Sequence, residues 1–103
     1  MDGEHLVVNC TIDDQGKQIR SHALIDSGAT GYAFIDEEFA FSRGLPLYRL
    51  KEPRELEVID GKPIESGKVT AITKVKMIID KHVEEIPMFV TRLGHYPVVL
   101  GIP

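Results

Sequence analysis

Ala23-Leu24-Ile25-Asp26-Ser27-Gly28-Ala29-Thr30 is the stretch on which both fold and chemistry turn. Three apolar residues run straight into a carboxylate, and a small polar loop follows. An apolar run of this kind reads as a buried strand, so Asp26 is delivered on a rigid element. Ser27 and Thr30 bring hydroxyl and N–H donors around that carboxylate, and Gly28 lets another backbone approach closely. Asp-Ser-Gly by itself is an ordinary surface turn. The apolar lead-in and the Ala29-Thr30 that follows set this copy apart.

On either side the chain reads as short strands. Leu6 to Ile12 is apolar and β-branched, Asp13-Asp14-Gln15-Gly16 is a turn, and Ile19 to Ile25 is a second strand, together a hairpin. Phe34-Ile35 continues extended. Asp36 to Gly44 then changes character, with acidic residues leading, Arg43 near the end and Gly44 able to cap, which predicts one short helix. Pro46 prevents its extension. Lys51-Glu52-Pro53-Arg54-Glu55 reads as a mobile, charged approach to a second hairpin, in which Leu56 to Ile59 turns through Asp60-Gly61. From Gly67 to Ile79, period two places Val69, Ala71, Thr73, Val75 and Met77 on one face. Val83 to Val90 is a further strand, which Pro87 assigns to an edge or a bulge. Val98-Val99-Leu100 fits a buried strand. The expectation is an all-β fold, mainly strand with one short helix.

The chain has 103 residues, 43% hydrophobic and 27% charged, which is one small domain with a single core. No apolar run approaches the roughly 18 residues of a membrane span, and Met1-Asp2-Gly3-Glu4 lacks the basic and apolar regions of a signal peptide. Cys10 is the only cysteine. No internal disulfide can form, and a cytoplasmic, reducing setting is expected. The net charge of −4 interleaves both signs, so direct nucleic-acid binding is not expected. His5, His22, His82 and His95 are scattered and none pairs with Cys10 at metal-ligand spacing, so neither a metal nor a cofactor is expected. Ser27 near His22 lacks a nucleophile elbow and a third partner, which sets a serine nucleophile aside. Cys10 in an apolar strand reads as core, Asp36-Glu37-Glu38 as a solvated helix start, and Tyr32 equally as pocket wall or core.

Leu24 to Thr30 resembles the active-site loop of retropepsins, the aspartic proteases of retroviruses and long-terminal-repeat retrotransposons. Their signature is two apolar residues, then Asp-Ser/Thr-Gly-Ala/Ser, often followed by Thr or Ser. Val98-Val99-Leu100-Gly101 stands where the family has an apolar triplet ending in Gly, closing a ψ-shaped loop beneath the aspartate. The Asp60-Gly61 turn and the Gly101-Ile102-Pro103 ending are most similar to the Ty3/gypsy type. The resemblance implies one domain over 1–103 with a flap hairpin at 56–68. It implies a closed barrel-like acid-protease fold, one half of a two-fold symmetric dimer. The family usually continues past the ψ-loop glycine into a helix and an interface strand. This sequence stops at Pro103, so a C-terminally truncated domain with weakened association is expected.

Aspartic-protease chemistry needs two carboxyl groups sharing one proton, one acting as base on water and the other as acid. With a single Asp-Ser-Gly, the second must come from Asp26 of an identical chain across a two-fold axis. The resemblance further implies that Thr30 bonds across that axis, that Gly28 offers its carbonyl to substrate, and that Ala29 packs behind the aspartate. Val58, Ile59, Asp60 and Gly61 would close over an extended peptide, with Val58, Ile59 and Ile35 lining pockets. Val99, Leu100 and Gly101 would form the ψ-loop. The expected activity is that of an endopeptidase processing a Gag-Pol-type polyprotein inside the cell or a retrotransposon particle, without nucleic acid or membrane as partner. Two other readings are a retropepsin-like domain kept as a binding or dimerisation module, and an unrelated β-rich adaptor.

Overall fold

Period-two alternation builds the first hairpin. The computed structural model describes residues 6–26, 32–54 and 69–101. In it β1 (Leu6–Asp14) and β2 (Lys17–Asp26) pair antiparallel, with Leu6 opposite Ile25 and Asp14 opposite Lys17. Gln15 and Gly16 at the tip have φ of 51° and 95°, the mirror-image turn whose twist matches paired strands. Asp13 secures the tip by accepting from the Gly16 amide at 2.9 Å and from Gln18 Nε2 at 3.1 Å.

The chain continues through β3 (Ala33–Asp36), α1 (Glu37–Ser42), β4 (Tyr48–Arg54), β5 (Val69–Ile79), β6 (His82–Thr91) and β7 (Val98–Gly101). Six strands run in the order β1-β2-β7-β3-β6-β5, and β5 returns to pair with β1, Met77 opposite Ile12. That pairing closes the sheet into a barrel, and β4 pairs with the first part of β5, Tyr48 opposite Ile72. The fold is mainly β with one short helix, as the strand pattern predicts.

Where β2, β3 and β7 meet, successive residues are buried on opposite faces. Ala23, Ile35 and Val98 enter one core cluster with Ile12, Val75, Met77 and Met88. Their chain neighbours Leu24, Phe34 and Val99 enter a second cluster with Val69. A strand covered on both faces must be apolar at every position, which is why these segments read as unbroken hydrophobic runs.

Asp36 stops β3 and starts α1. Its extended backbone (φ −67°, ψ 133°) and its Oδ2, which accepts from the Phe39 amide at 3.1 Å, make it the N-cap. Glu37 and Glu38 in the first turn favour the positive end of the short helix. Gly44 ends it with φ 68°, and the Leu45 amide donates back to the Ala40 carbonyl at 3.1 Å.

Two expectations change. The stretch read as a mobile approach is strand up to Arg54, with Arg49 opposite Ala71 and Arg54 opposite Val69 across a register shift. Nearly all its side chains are exposed, so backbone pairing with β5 holds it and no alternation announces it. β6 lies inside the sheet between β5 and β3, yet β3 pairs only with Phe89 to Thr91. Pro87, opposite Lys74 on β5, therefore sits where the strand has one partner among the described residues, and a missing N–H is tolerated there. The hairpin assigned to 56–68 lies outside the described residues.

Candidate active site

Asp26 is the last residue of β2 and is 7% exposed. It stands opposite Gly101, the last residue of β7, in a parallel ladder that also sets Leu24 opposite Val99. On its other edge β7 runs antiparallel to β3, with Ala33 opposite Leu100. The Gly101 amide donates to the Tyr32 carbonyl at 2.7 Å. Thus the chain leaves β2 at Asp26 and re-enters at Tyr32 with both residues against Gly101. β7, carrying Val99, Leu100 and Gly101, is inserted between two strands consecutive in sequence. A carboxylate at the end of an anchored, buried strand is held in one place, the first requirement of a positioned acid or base.

Aromatic packing fixes the entry to β3. Tyr32 meets Phe89 and Phe34 edge-on, at centroid separations of 5.5 and 6.3 Å, and Phe34 lies 6.0 Å from Phe89. The Arg54 guanidinium covers Phe89 at 5.4 Å. Tyr32 is therefore a packing residue of the second cluster. Ile35 needs a correction: it is 0% exposed within the first cluster and cannot line an open pocket. The reason is the pleat, which turns Ile35 away from the face that carries Phe34.

Ser27, Gly28, Ala29 and Thr30, like Val58, Ile59, Asp60 and Gly61, lie outside the described residues. His22 is exposed on β2 and meets Tyr96 edge-on at 6.4 Å. Among the described residues no group of three His, Cys, Asp or Glu side chains could hold a metal ion. No helix there is long and apolar enough to cross a membrane.

Sequence reasoning missed the second role of Asp36. Besides capping α1, its Oδ1 accepts from the Leu93 amide at 3.0 Å, and its own amide donates to the Pro97 carbonyl at 2.8 Å. One side chain thus ties the helix to the connection leading into β7. The cap is legible as an acid before a helix; the bond to Leu93 has no local signal.

The structure resembles a retropepsin-like aspartic protease from Rickettsia conorii, at a TM-score of 0.62 and 18% identity over 94% of this chain and 67% of that one. A protein of unknown function from Legionella pneumophila is similar at a TM-score of 0.51 and 18% identity, covering 92% of this chain and 79% of that one. These likenesses establish the retropepsin-like fold. The PEG10/RTL1 protease domain family matches residues 22–103, from the strand that delivers Asp26 through β7. The chain belongs to the PEG10/RTL1 protease domain family.

Proposed function

We propose that the chain is an aspartic endopeptidase of the retroviral and retrotransposon type, nearest the Ty3/gypsy group, acting as a homodimer on an extended polypeptide. The observation that carries this reading is the placement of Asp26, buried at the end of β2 and paired with Gly101 in a fold shared with a retropepsin-like protease. A single such carboxylate per chain calls for a second copy to complete the pair.

In the dimer the two Asp26 carboxyl groups share one proton. The ionised group takes a proton from water as its oxygen attacks the scissile carbonyl carbon. The protonated group donates to the carbonyl oxygen, giving a neutral tetrahedral diol. Collapse breaks the C–N bond, with the proton passing to the leaving amine. Ser27, Gly28 and Thr30 would support the carboxylate pair, and Ala29 would fill the space behind it. The segment from Val58 to Gly61 would cover the peptide, which binds through main-chain bonds as an added strand. A Gag-Pol-type polyprotein in an intracellular setting is the substrate this reading favours.

The test is cleavage of a peptide library between pH 4 and 7 at several protein concentrations, with Asp26→Asn alongside. Activity should rise more steeply than linearly with protein, and the variant should lose at least about a hundredfold. Cleavage that survives in the variant overturns the assignment. No cleavage by a folded dimer at any concentration would favour the binding-module reading instead.

A further inference from the structure

A cavity of about 370 Å³ lies between β2, α1 and the connection into β7, with Tyr96 in its lining. Its lining gathers basic side chains from three parts of a chain whose net charge is −4. Arg20 and His22 come from β2, Arg43 from the C-cap of α1, and His95 from the connection. Lys17, outside the lining, donates from its Nζ to the Arg43 carbonyl at 2.6 Å and so fixes the backbone that carries Arg43.

Among the described residues the one acid in the lining is Asp36, and its two oxygens already accept from the Phe39 and Leu93 amides. Neither Arg20 nor Arg43 is ion-paired among the described residues; the salt bridges there join His82 to Glu84 and Arg92 to Glu37. Nor are the groups wholly loose. The Arg43 guanidinium rests over the Phe39 ring at 5.2 Å, and His22 is braced edge-on by Tyr96. Like charges assembled around a concavity repel one another, and an anion placed among them relieves that repulsion.

We propose that this cavity binds a phosphoryl oxyanion, either free or carried on a peptide side chain. Charge and the arrangement of donors decide the class. Arg20 and Arg43 exceed Asp36 by one fixed charge, and His22 and His95 add ring nitrogens from two further directions, so the donors suit a tetrahedral oxyanion with three or more acceptor oxygens better than a planar carboxylate with two. Guanidinium forks also suit phosphate oxygens, which accept two parallel N–H bonds from one arginine. The site is separate from Asp26 and stands whether or not the chain cleaves peptides.

Amide NMR of the whole chain tests it, with inorganic phosphate titrated against sodium chloride at matched ionic strength. A phosphoserine peptide and its unphosphorylated twin form the second arm. Saturable shifts are expected at Arg20, His22, Arg43 and residues 94–96. Saturation by inorganic phosphate identifies a free anion as sufficient, and saturation by the phosphopeptide alone identifies a carried one. Arg20→Gln with Arg43→Gln should weaken binding at least about tenfold, since each removes a charge-assisted hydrogen bond. His95→Gln, on an exposed connection, should weaken it severalfold, and Lys81→Gln on the β5–β6 turn should leave it unchanged. Shifts equal in chloride, spread over unrelated lysines, or indifferent to the arginine and histidine variants would overturn the proposal.

Discussion

Asp26 and Gly101, at opposite ends of the sequence motifs, are direct neighbours in the parallel ladder between β2 and β7. Because the Gly101 amide also bonds the Tyr32 carbonyl, one residue anchors both ends of the segment between Asp26 and Tyr32. A parallel pair cannot be made by a tight turn, and the chain between β2 and β7 runs through β3, α1, β4, β5 and β6 before the contact can be made. The candidate site is therefore assembled by the whole domain.

Asp36 couples α1 to the connection before β7, and removing its carboxylate should be costly. Asp36→Ala should lose about 2–3 kcal/mol in urea unfolding, combining a lost cap with an unsatisfied Leu93 amide. Asp36→Asn keeps one acceptor oxygen and should lose about half as much. Equal losses in the two variants would show that charge, rather than the pair of acceptors, matters.

Thr73 is 0% exposed on β5, and its hydroxyl has no hydrogen-bond partner among the described residues. A buried, unmatched hydroxyl costs stability. Thr73→Val, which keeps the branched shape, should be neutral or raise stability by up to about 1 kcal/mol. Thermal unfolding of the two proteins decides; a loss above about 1 kcal/mol would mean that the hydroxyl is bonded.

Asp13 titrates below the ordinary aspartate value. The chief cause is the Gly16 amide donating to it, then the Gln18 side chain; desolvation opposes them, and the field of Lys76 adds the smallest lowering effect. A carboxylate with a depressed folded-state pKa adds stability above its unfolded value, and this contribution is lost as pH falls through the folded one. From about pH 4 downward, the wild-type protein should lose stability more steeply than Asp13→Asn. Denaturant midpoints across that range, with NMR titration of the carboxyl, check the sign.

Cys10 is buried in the first cluster, and that burial raises the pKa of its thiol. Since the thiolate is the reactive form, the native protein at pH 7 should react with an aromatic disulfide reagent far more slowly than the urea-unfolded chain. Comparable rates would show that β1 opens readily.

Elements with a local cause were legible. The β1–β2 hairpin follows from the turn residues Gln15-Gly16 between two apolar runs, α1 from an acidic start and Gly44, and the buried face of β5 from Val69, Thr73, Val75 and Met77 at period two. β4 escaped because Tyr48–Arg54 exposes nearly every side chain and is held by backbone pairing. Ile35 was misplaced because an apolar doublet does not say which member faces which side. Phe34 and Ile35 are both buried, in different clusters.

The amino-acid sequence alone determined the strand-rich character, the short helix and the unusual position of Asp26 after an apolar run, because each rests on residues close together in the chain. Tertiary structure decided the rest. It inserted β7 between β2 and β3, closed the barrel through Ile12 and Met77, joined Asp36 to Leu93, and gathered Arg20, His22, Arg43 and His95 around one cavity. The physical reason is that parallel pairing and barrel closure join residues distant in sequence, whose partners are chosen by the burial of the whole core rather than by any local preference.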